Sequence, residues 1–154
     1  MFQLSPGARM NDSVLPEVRS KIMRSVGPKN TKPELLLRKE LFRRGFRYRL
    51  HHKKLPGKPD LTFTKWCAVV FVNGCFWHRH LNCRYSTTPK NNSEFWSKKF
   101  QENIERDARN LKELEALGWR VFTVWECQLK SDIEKTASDL ARWLKDFTPK
   151  TSQT

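Results

Sequence analysis

At 154 residues the chain has room for one domain with a substantial core, and its formal net charge of +14, at a pI near 10.0, is far from balance. No apolar run approaches membrane-spanning length, and the first 25 residues hold no apolar stretch that would make a secretory signal, so neither a membrane protein nor an exported one is expected. Four cysteines interleaved with histidines read as metal ligands in a cytoplasmic chain, not as disulfides.

The charge is unevenly placed. Residues 1–60 carry 15 Lys and Arg against 5 Asp and Glu, whereas residues 61–154 carry 15 against 11. A basic half of that kind attracts phosphate polyanions in a salt-sensitive, sequence-independent way. A solvated basic face is the plainer reading. The pI and six tryptophans favour nucleic acid.

In chain order, residues 1–16 lack periodicity and read as a loose arm. A short basic helix follows Pro16 and ends before Gly27-Pro28; it suits a duplex surface better than a core. Thr31-Lys32-Pro33-Glu34 opens the next helix as a capping box, with Leu37 and Leu41 on one face and Gly45 as its stop. Residues 46–50 alternate as a half-buried strand, residues 55–59 form a loop, and Asp60 begins a second strand. Residues 67–72 form a third strand, with Cys67 a buried thiol in its interior. A long helix is expected over residues 93–117, its apolar stripe being Phe100, Ile104, Ala108, Leu111 and Leu114. Residues 119–125 read as a central strand, and Ser131-Asp132-Ile133-Glu134 as the cap of a last helix. One domain thus spans 17–147, with a disordered tail expected at 148–154. The order ααβββαβα gives an α/β fold, a mixed sheet flanked by helices.

Three groups of residues carry chemistry. Cys75, His80 and Cys83, with Cys127 directly after the last strand, offer three thiolates and one imidazole, a set that satisfies closed, structural Zn²⁺. Small buried thiols are the plainer reading of Cys75 and Cys127, and His78 competes with His80 as the ligand. Asp60 starts a strand beside the one ending at Val72-Asn73. Pairing them brings its carboxylate near Val72, Asn73 and His78, an oxygen-rich setting that suits Mg²⁺. Imidazole changes charge near neutral pH, which makes His78 the proton-transfer group. A turn aspartate after proline would explain Asp60 equally well, and the capping box alone explains Glu34. Finally, Phe76, Trp77 and Trp96 are aromatics in polar surroundings, suited to insertion into a base stack or to covering the ligand loop. Lys99 and Asn103 share a helix face with Trp96 and could reach base edges, or simply face solvent.

Several stretches go further. Lys21-Ile22-Met23-Arg24, Thr31-x-x-Glu34, Leu55-Pro56-Gly57-Lys58-Pro59-Asp60, Gly74-Cys75-Phe76-Trp77-His78, Ser93-Glu94-Phe95-Trp96, Asn103-Ile104-Glu105-Arg106-Asp107, and Leu117-Gly118-Trp119-Arg120-Val121 through Val124-Trp125-Glu126-Cys127 lie in order over about residues 18–145. Together they resemble the very short patch repair endonucleases of bacteria. The resemblance implies a restriction-endonuclease-like core with structural zinc, and Mg²⁺-dependent nicking of double-stranded DNA 5′ to the thymine of a T·G mismatch left by 5-methylcytosine deamination. It implies that Asp60 and the Val72 carbonyl hold Mg²⁺, that Glu34 orders a water at the metal, and that His78 handles the proton. Cys75, His80, Cys83 and Cys127 are implied to bind zinc. Phe76, Trp77 and Trp96 would enter the stack, Lys99 and Asn103 would read the mismatch, and Met23 would intercalate from the minor groove. The family's best-known pattern has histidine where this chain has Asn73, and threonine where it has Val72. Its zinc loop is one residue shorter between His80 and Cys83. A monomer is expected, with mismatch-repair proteins as candidate partners. The rival readings are a restriction endonuclease acting on matched DNA and a zinc-stabilised DNA-binding protein without catalysis.

Overall fold

The computed structural model describes residues 31–147. The arm at 1–16, the basic helix after Pro16 with Met23, and the tail at 148–154 lie outside the described residues. Helix α1 (Lys32–Arg43) starts where Thr31 Oγ1 accepts the Glu34 N–H at 3.4 Å, with proline in its first turn. Leu37 and Leu41 are buried, and Gly45 ends the helix at φ +92°, where glycine is unstrained. The Phe46 N–H then bonds back to Leu41 O at 3.0 Å, which folds Phe46 into the core. That turn shortens the strand expected at 46–50 to β1 (Arg49–Leu50).

Strands β2 (Leu61–Phe63) and β3 (Ala68–Asn73) run antiparallel, with Leu61 opposite Val70 and Phe63 opposite Ala68. A 3₁₀ turn over Thr64–Trp66 joins them. Cys67 is not the buried mid-strand thiol expected. It is exposed, at φ +45°, and closes the turn with its N–H on Thr64 O. Helix α2 (Ser93–Ala116) crosses over to β4 (Arg120–Trp125), which pairs parallel to β3 in the register Val70–Phe122 and Asn73–Trp125. The order β1-β2-β3-β4 makes the sheet mixed, as expected, and places β4 at its edge rather than its centre. With β3 its one strand neighbour among the described residues, most of β4 is half-buried and only Val124 is sealed.

A short helix unforeseen in the sequence, α3 (Glu126–Ser131), follows β4 directly. The last helix, α4 (Ile133–Lys145), is capped one residue later than expected, by Asp132 accepting the Lys135 N–H at 3.0 Å. The core lies between one sheet face and α1, α3 and α4, and contains Leu37, Leu41, Phe63, Val70, Leu129, Leu140 and Leu144. Helix α2 covers the other face, packing on β4.

Arg120 fastens the layers. Its guanidinium donates to Trp143 O and Leu144 O, carbonyls at the end of α4, and to Trp66 O, while lying 4.3 Å over the Trp143 ring. Burial lowers its pKa, so its charge is held at some cost by these acceptors. Arg120→Ala should therefore destabilise the fold by about 2–3 kcal/mol in urea denaturation, because three carbonyls lose a charged donor. A change under about 0.5 kcal/mol, the level of an ordinary surface substitution, would count against this clamp.

Candidate active site and metal clusters

The β2–β3 register fixes Asp60. One residue before β2, its carboxylate is drawn under β3 and Oδ2 accepts the Val72 N–H at 2.7 Å. Burial is the largest influence on this group and raises its pKa from 3.8 to about 6. The Val72 N–H opposes that rise, the Glu34 charge adds to it, and the imidazoles of His51 and His78 pull it back. Glu34 is the second carboxylate, only 1 % exposed. Its Oε1 accepts from Arg38 at 3.2 Å and lies 2.7 Å from His51 Nε2. The capping box accounts for the Glu34 N–H, not for where the side chain points. One ligand atom from each of Glu34, His51 and Asp60 lies within 4.8 Å of the others. Two carboxylates converging in this way, one buried and one half-buried, fit a divalent cation.

His51 was not foreseen. Its N–H donates to Asp60 O at 3.1 Å, one step beyond the Leu50–Leu61 pair, so the hairpin that places Asp60 places His51 beside it. Continuing the β1–β2 register outward by one residue is the sequence signal that would have found it.

His78 is held differently. Its Nδ1 lies 2.6 Å from Asp107 Oδ2 on α2, which fixes Nδ1–H as the donor and leaves Nε2 to face a reactant. Asp107 was also missed. The α2 stripe of Ile104, Ala108 and Leu111 is not the inward face: Ile104 and Leu111 are 44 % and 41 % exposed. The residues that turn inward are Trp96, Phe100, Asn103, Asp107, Asn110 and Leu114, at steps of three and four. The spacing was legible from Trp96 onward; an apolar reading passes over it because its middle is polar. Asn103 is 95 % buried, and its Nδ2 donates to Trp77 O at 3.0 Å. In this structure it anchors the aromatic loop, whereas Lys99 is exposed. Asn110 presses on Gly57: a Cβ there would meet its Nδ2 at 2.9 Å, and φ is +74°. Glycine at 57 thus lets the Leu55–Asp60 loop lie against α2.

Cys75, His80, Cys83 and Cys127 come together as expected, one ligand atom of each within 4.8 Å of the others. His80 Nδ1 is 3.7 Å from Cys75 Sγ and 3.4 Å from Cys127 Sγ, and its ring stacks on Trp125 at 4.2 Å. Burial and the neighbouring thiols push Cys75 up to about 12, while backbone N–H groups lower Cys83. Three thiols and one imidazole at this spacing fit a tetrahedral cation, and such a cation would bring the thiols to thiolates. His78, the competing ligand, is directed to Asp107 instead.

Phe76, Trp77, Trp96 and Phe100 form one aromatic cluster, in which Phe76 meets Trp77, Trp96 and Phe100 edge-to-face at 5.1, 5.6 and 5.2 Å while Trp96 stacks on Phe100 at 5.7 Å. Trp96 is buried within it, whereas the neighbouring Phe95 ring is 59 % exposed. A cleft of about 980 Å³ opens between α2 and the sheet, lined by Lys53, Lys58, Asn73, His78, Arg106 and Asp107 among others. Lys53, Lys58, Arg79 and Arg106 make its lining cationic, and the His78–Asp107 pair is part of that lining.

Comparison with known proteins bears on this arrangement. The model of the DNA mismatch endonuclease Vsr family matches residues 11–84. The chain is 44 % identical to the type II nicking enzyme V.NmeAIP of Neisseria meningitidis over 139 residues, 89 % of this chain and 99 % of that one. It is 47 % identical to V.XorIIP of Xanthomonas oryzae over 120 residues, 78 % and 88 % of the two chains. It is 38 % identical to the DNA mismatch endonuclease Vsr of Escherichia coli over 129 residues, 84 % and 82 %. The chain belongs to the Vsr family. As a member it is a DNA nicking endonuclease, a hydrolase whose substrate is DNA.

The Asp60 environment gives a pH-dependent test. A carboxyl whose pKa rises on folding binds its proton more tightly in the native state, so it makes stability fall as pH rises from about 3.8 to about 6. Asp60→Asn removes that loss. Without added divalent cation, the variant should match the natural chain near pH 4 and exceed it by up to about 3 kcal/mol above pH 6. Urea denaturation across that range would reveal it. A pH-independent difference would mean that the carboxylate is well solvated.

Proposed function

We propose that the protein nicks DNA on the 5′ side of the thymine in a T·G mismatch, with Mg²⁺ at Asp60 and Zn²⁺ as a structural staple. The observation that carries this reading is the juxtaposition at the end of β3. The half-buried Asp60 carboxylate accepts the Val72 N–H there, and the Asp107-oriented His78, near enough for its charge to act on Asp60, lines a cation-rimmed cleft in a Vsr-family chain.

Asp60 and Glu34 are the residues that would hold the divalent cation, with the Val72 carbonyl beside them. In a strand a residue's N–H and C=O point to the same side, and the Val72 N–H already points at Asp60. A bound Mg²⁺ supplies charge neutralisation on the phosphodiester and lowers the pKa of water. Every other step belongs to side chains. His78 Nε2 takes the proton from the attacking water or delivers one to the leaving oxygen, and Asp107 keeps the ring in the tautomer that makes Nε2 available. Asn73 sits opposite Trp125 at the end of β3 and lines the same cleft; as an amide it can orient a phosphate oxygen or water but cannot exchange a proton. Lys53, Lys58 and Arg106 face the backbone phosphates.

Zinc in the Cys75, His80, Cys83 and Cys127 set fixes a loop of little regular structure, and on that loop stand Phe76, Trp77 and His78. Phe76 and Trp77 are half-buried, and with Trp96 as their buttress they are the rings proposed to enter the stack beside a mismatch, where base pairing is weakest. Lys99 on the exposed side of α2 reads base edges or phosphate, and Asn103 holds Trp77 in place for the same contact. The protein works as a monomer in the bacterial cytoplasm, and mismatch-repair proteins are its candidate partners. Among the described residues no helix is long and apolar enough to cross a membrane.

Matched and T·G-containing duplexes incubated with the protein and Mg²⁺ should separate the readings, with both strands resolved. Nicking of the thymine strand alone, only in the mismatched duplex, is the expected result. Equal cutting of matched DNA would replace this function with that of a restriction-type enzyme, and binding without cutting would leave a DNA-binding protein. Asp60→Asn should abolish nicking. His78→Ala should slow it by about 10²–10⁴-fold, the range for a lost general acid–base group. Asp107→Asn should slow it less than His78→Ala does, because the imidazole stays while its orientation is lost. Elemental analysis should find one zinc per chain; a zinc-free, fully active preparation would remove the staple.

A further inference from the structure

His51 has no part in the mechanism above, yet it lies closer to Glu34 than Asp60 does to either residue in any contact the structure gives. Its Nε2 is 2.7 Å from Glu34 Oε1 and 4.0 Å from Asp60 Oδ1, with the imidazole largely buried. Its backbone is held at φ +46°, in the left-handed region that few non-glycine residues occupy, histidine more often than most. The N–H bond to Asp60 O keeps it there. The fold thus accepts an uncommon backbone angle at a position from which an imidazole reaches between the buried Glu34 carboxylate and the half-buried Asp60 carboxylate.

Nitrogen is an unusual donor for magnesium. Mg²⁺ is a hard cation that takes oxygen ligands and gives up water reluctantly, whereas imidazole suits first-row transition ions; Mn²⁺ shares the oxygen ligands of Mg²⁺ but stands at the start of the first-row series that also binds nitrogen donors. A site of two carboxylates and one imidazole therefore favours a borderline cation over a hard one. We propose that His51 is a direct ligand of the divalent-cation site, and that its Nε2 gives this enzyme a built-in preference for Mn²⁺ over Mg²⁺. The inference rests on the reading of Glu34 and Asp60 as the cation site and adds to it a third ligand and a metal selectivity. A histidine that only supports Glu34 through a hydrogen bond would leave an oxygen-only site without that preference.

The test uses the full-length, zinc-loaded protein, with Mn²⁺ and Mg²⁺ themselves as probes. Calorimetric titration should give an affinity at least about tenfold higher for Mn²⁺, following the ligand preferences of the two ions. His51→Gln should weaken Mn²⁺ by roughly 10- to 100-fold, the scale on which lost support for a metal site is felt, while Mg²⁺ changes by less than about threefold. Pulsed electron paramagnetic resonance of the Mn²⁺ complex should show ¹⁴N coupling from an imidazole, present in His78→Ala and absent in His51→Gln. The spectrum of the natural chain decides the question even where His51→Gln fails to fold. Absence of ¹⁴N coupling there, or a parallel loss of both ions in His51→Gln, would overturn the proposal and leave His51 as support for Glu34. Failure of either ion to bind the natural chain, or binding unaffected by Asp60→Asn, would overturn the cation site itself.

Discussion

The bond from the Val72 N–H to Asp60 Oδ2 is where sheet register becomes chemistry. It exists because β2 and β3 pair with Leu61 opposite Val70, which leaves Asp60 one step past the end of the ladder and under the last residues of β3. A slip of one residue would turn that carboxylate to the other face of the sheet. The register is held in turn by the buried run Leu61, Thr62 and Phe63 against Ala68, Val69 and Val70, so the core and the site are specified by the same pairing. The cost is a carboxylate forced toward neutrality by burial beside another carboxylate. Such an arrangement is unfavourable alone and becomes favourable once a cation shares the space, which is how a site can be prepared before its ligand arrives.

Helix α2 supplies the second half of the site by an unusual division of its surface. Its inward stripe begins and ends apolar, with Trp96 and Phe100 at one end and Leu114 at the other, and is polar between them. Asn103 holds the Trp77 carbonyl, Asp107 holds the His78 ring, and Asn110 abuts Gly57. The helix therefore meets in succession the aromatic loop, the imidazole and the loop leading to Asp60. Its apolar residues Ile104 and Leu111 are displaced to the mouth of the cleft. Packing energy at that interface is given up in exchange for fixed side-chain positions, as sites that must be preorganised require.

Much of this was legible in the sequence, and what was not has identifiable causes. The four zinc-type ligands could be assembled because cysteine and histidine announce their chemistry by type, and Cys127 could be placed because it follows a strand directly. The pairing of Asp60 with the end of β3 followed from two strands and a loop. Asp107 and His51 stayed hidden for different reasons. Asp107 sits in a helix whose polar residues outnumber its apolar ones, so any count of apolar positions selects the wrong face. His51 depends on a left-handed residue just past a two-residue strand, and a strand that short gives little register to extend. Cys67 misled in the same way: an apolar run looks like strand throughout, yet its first residue closes a 3₁₀ turn. The edge position of β4 is a matter of topology, which hydropathy does not report.

The dense Cys–His stretch finally shows how one short loop serves two sites without merging them. Cys75 and His80 belong to the four-ligand cluster, and His78 between them points to Asp107. Local backbone geometry accounts for the split. His78 N–H returns to Gly74 O and His80 N–H to Cys75 O, while Arg79 between the two histidines takes φ +54°, and the two imidazoles reach different partners, Asp107 for His78 and the cysteine thiols for His80. The Arg79 guanidinium then ties the turn to Phe76 O, Ser86 O and Thr87 O and lies 4.0 Å over the Phe100 ring. The turn that carries His78 is thus tied to both the ligand cluster and the aromatic cluster. A cation in the four-ligand cluster need not approach the reacting phosphate to affect the reaction. By removing the freedom of a loop with no strand or helix of its own, a cation bound there would help to hold His78 against Asp107.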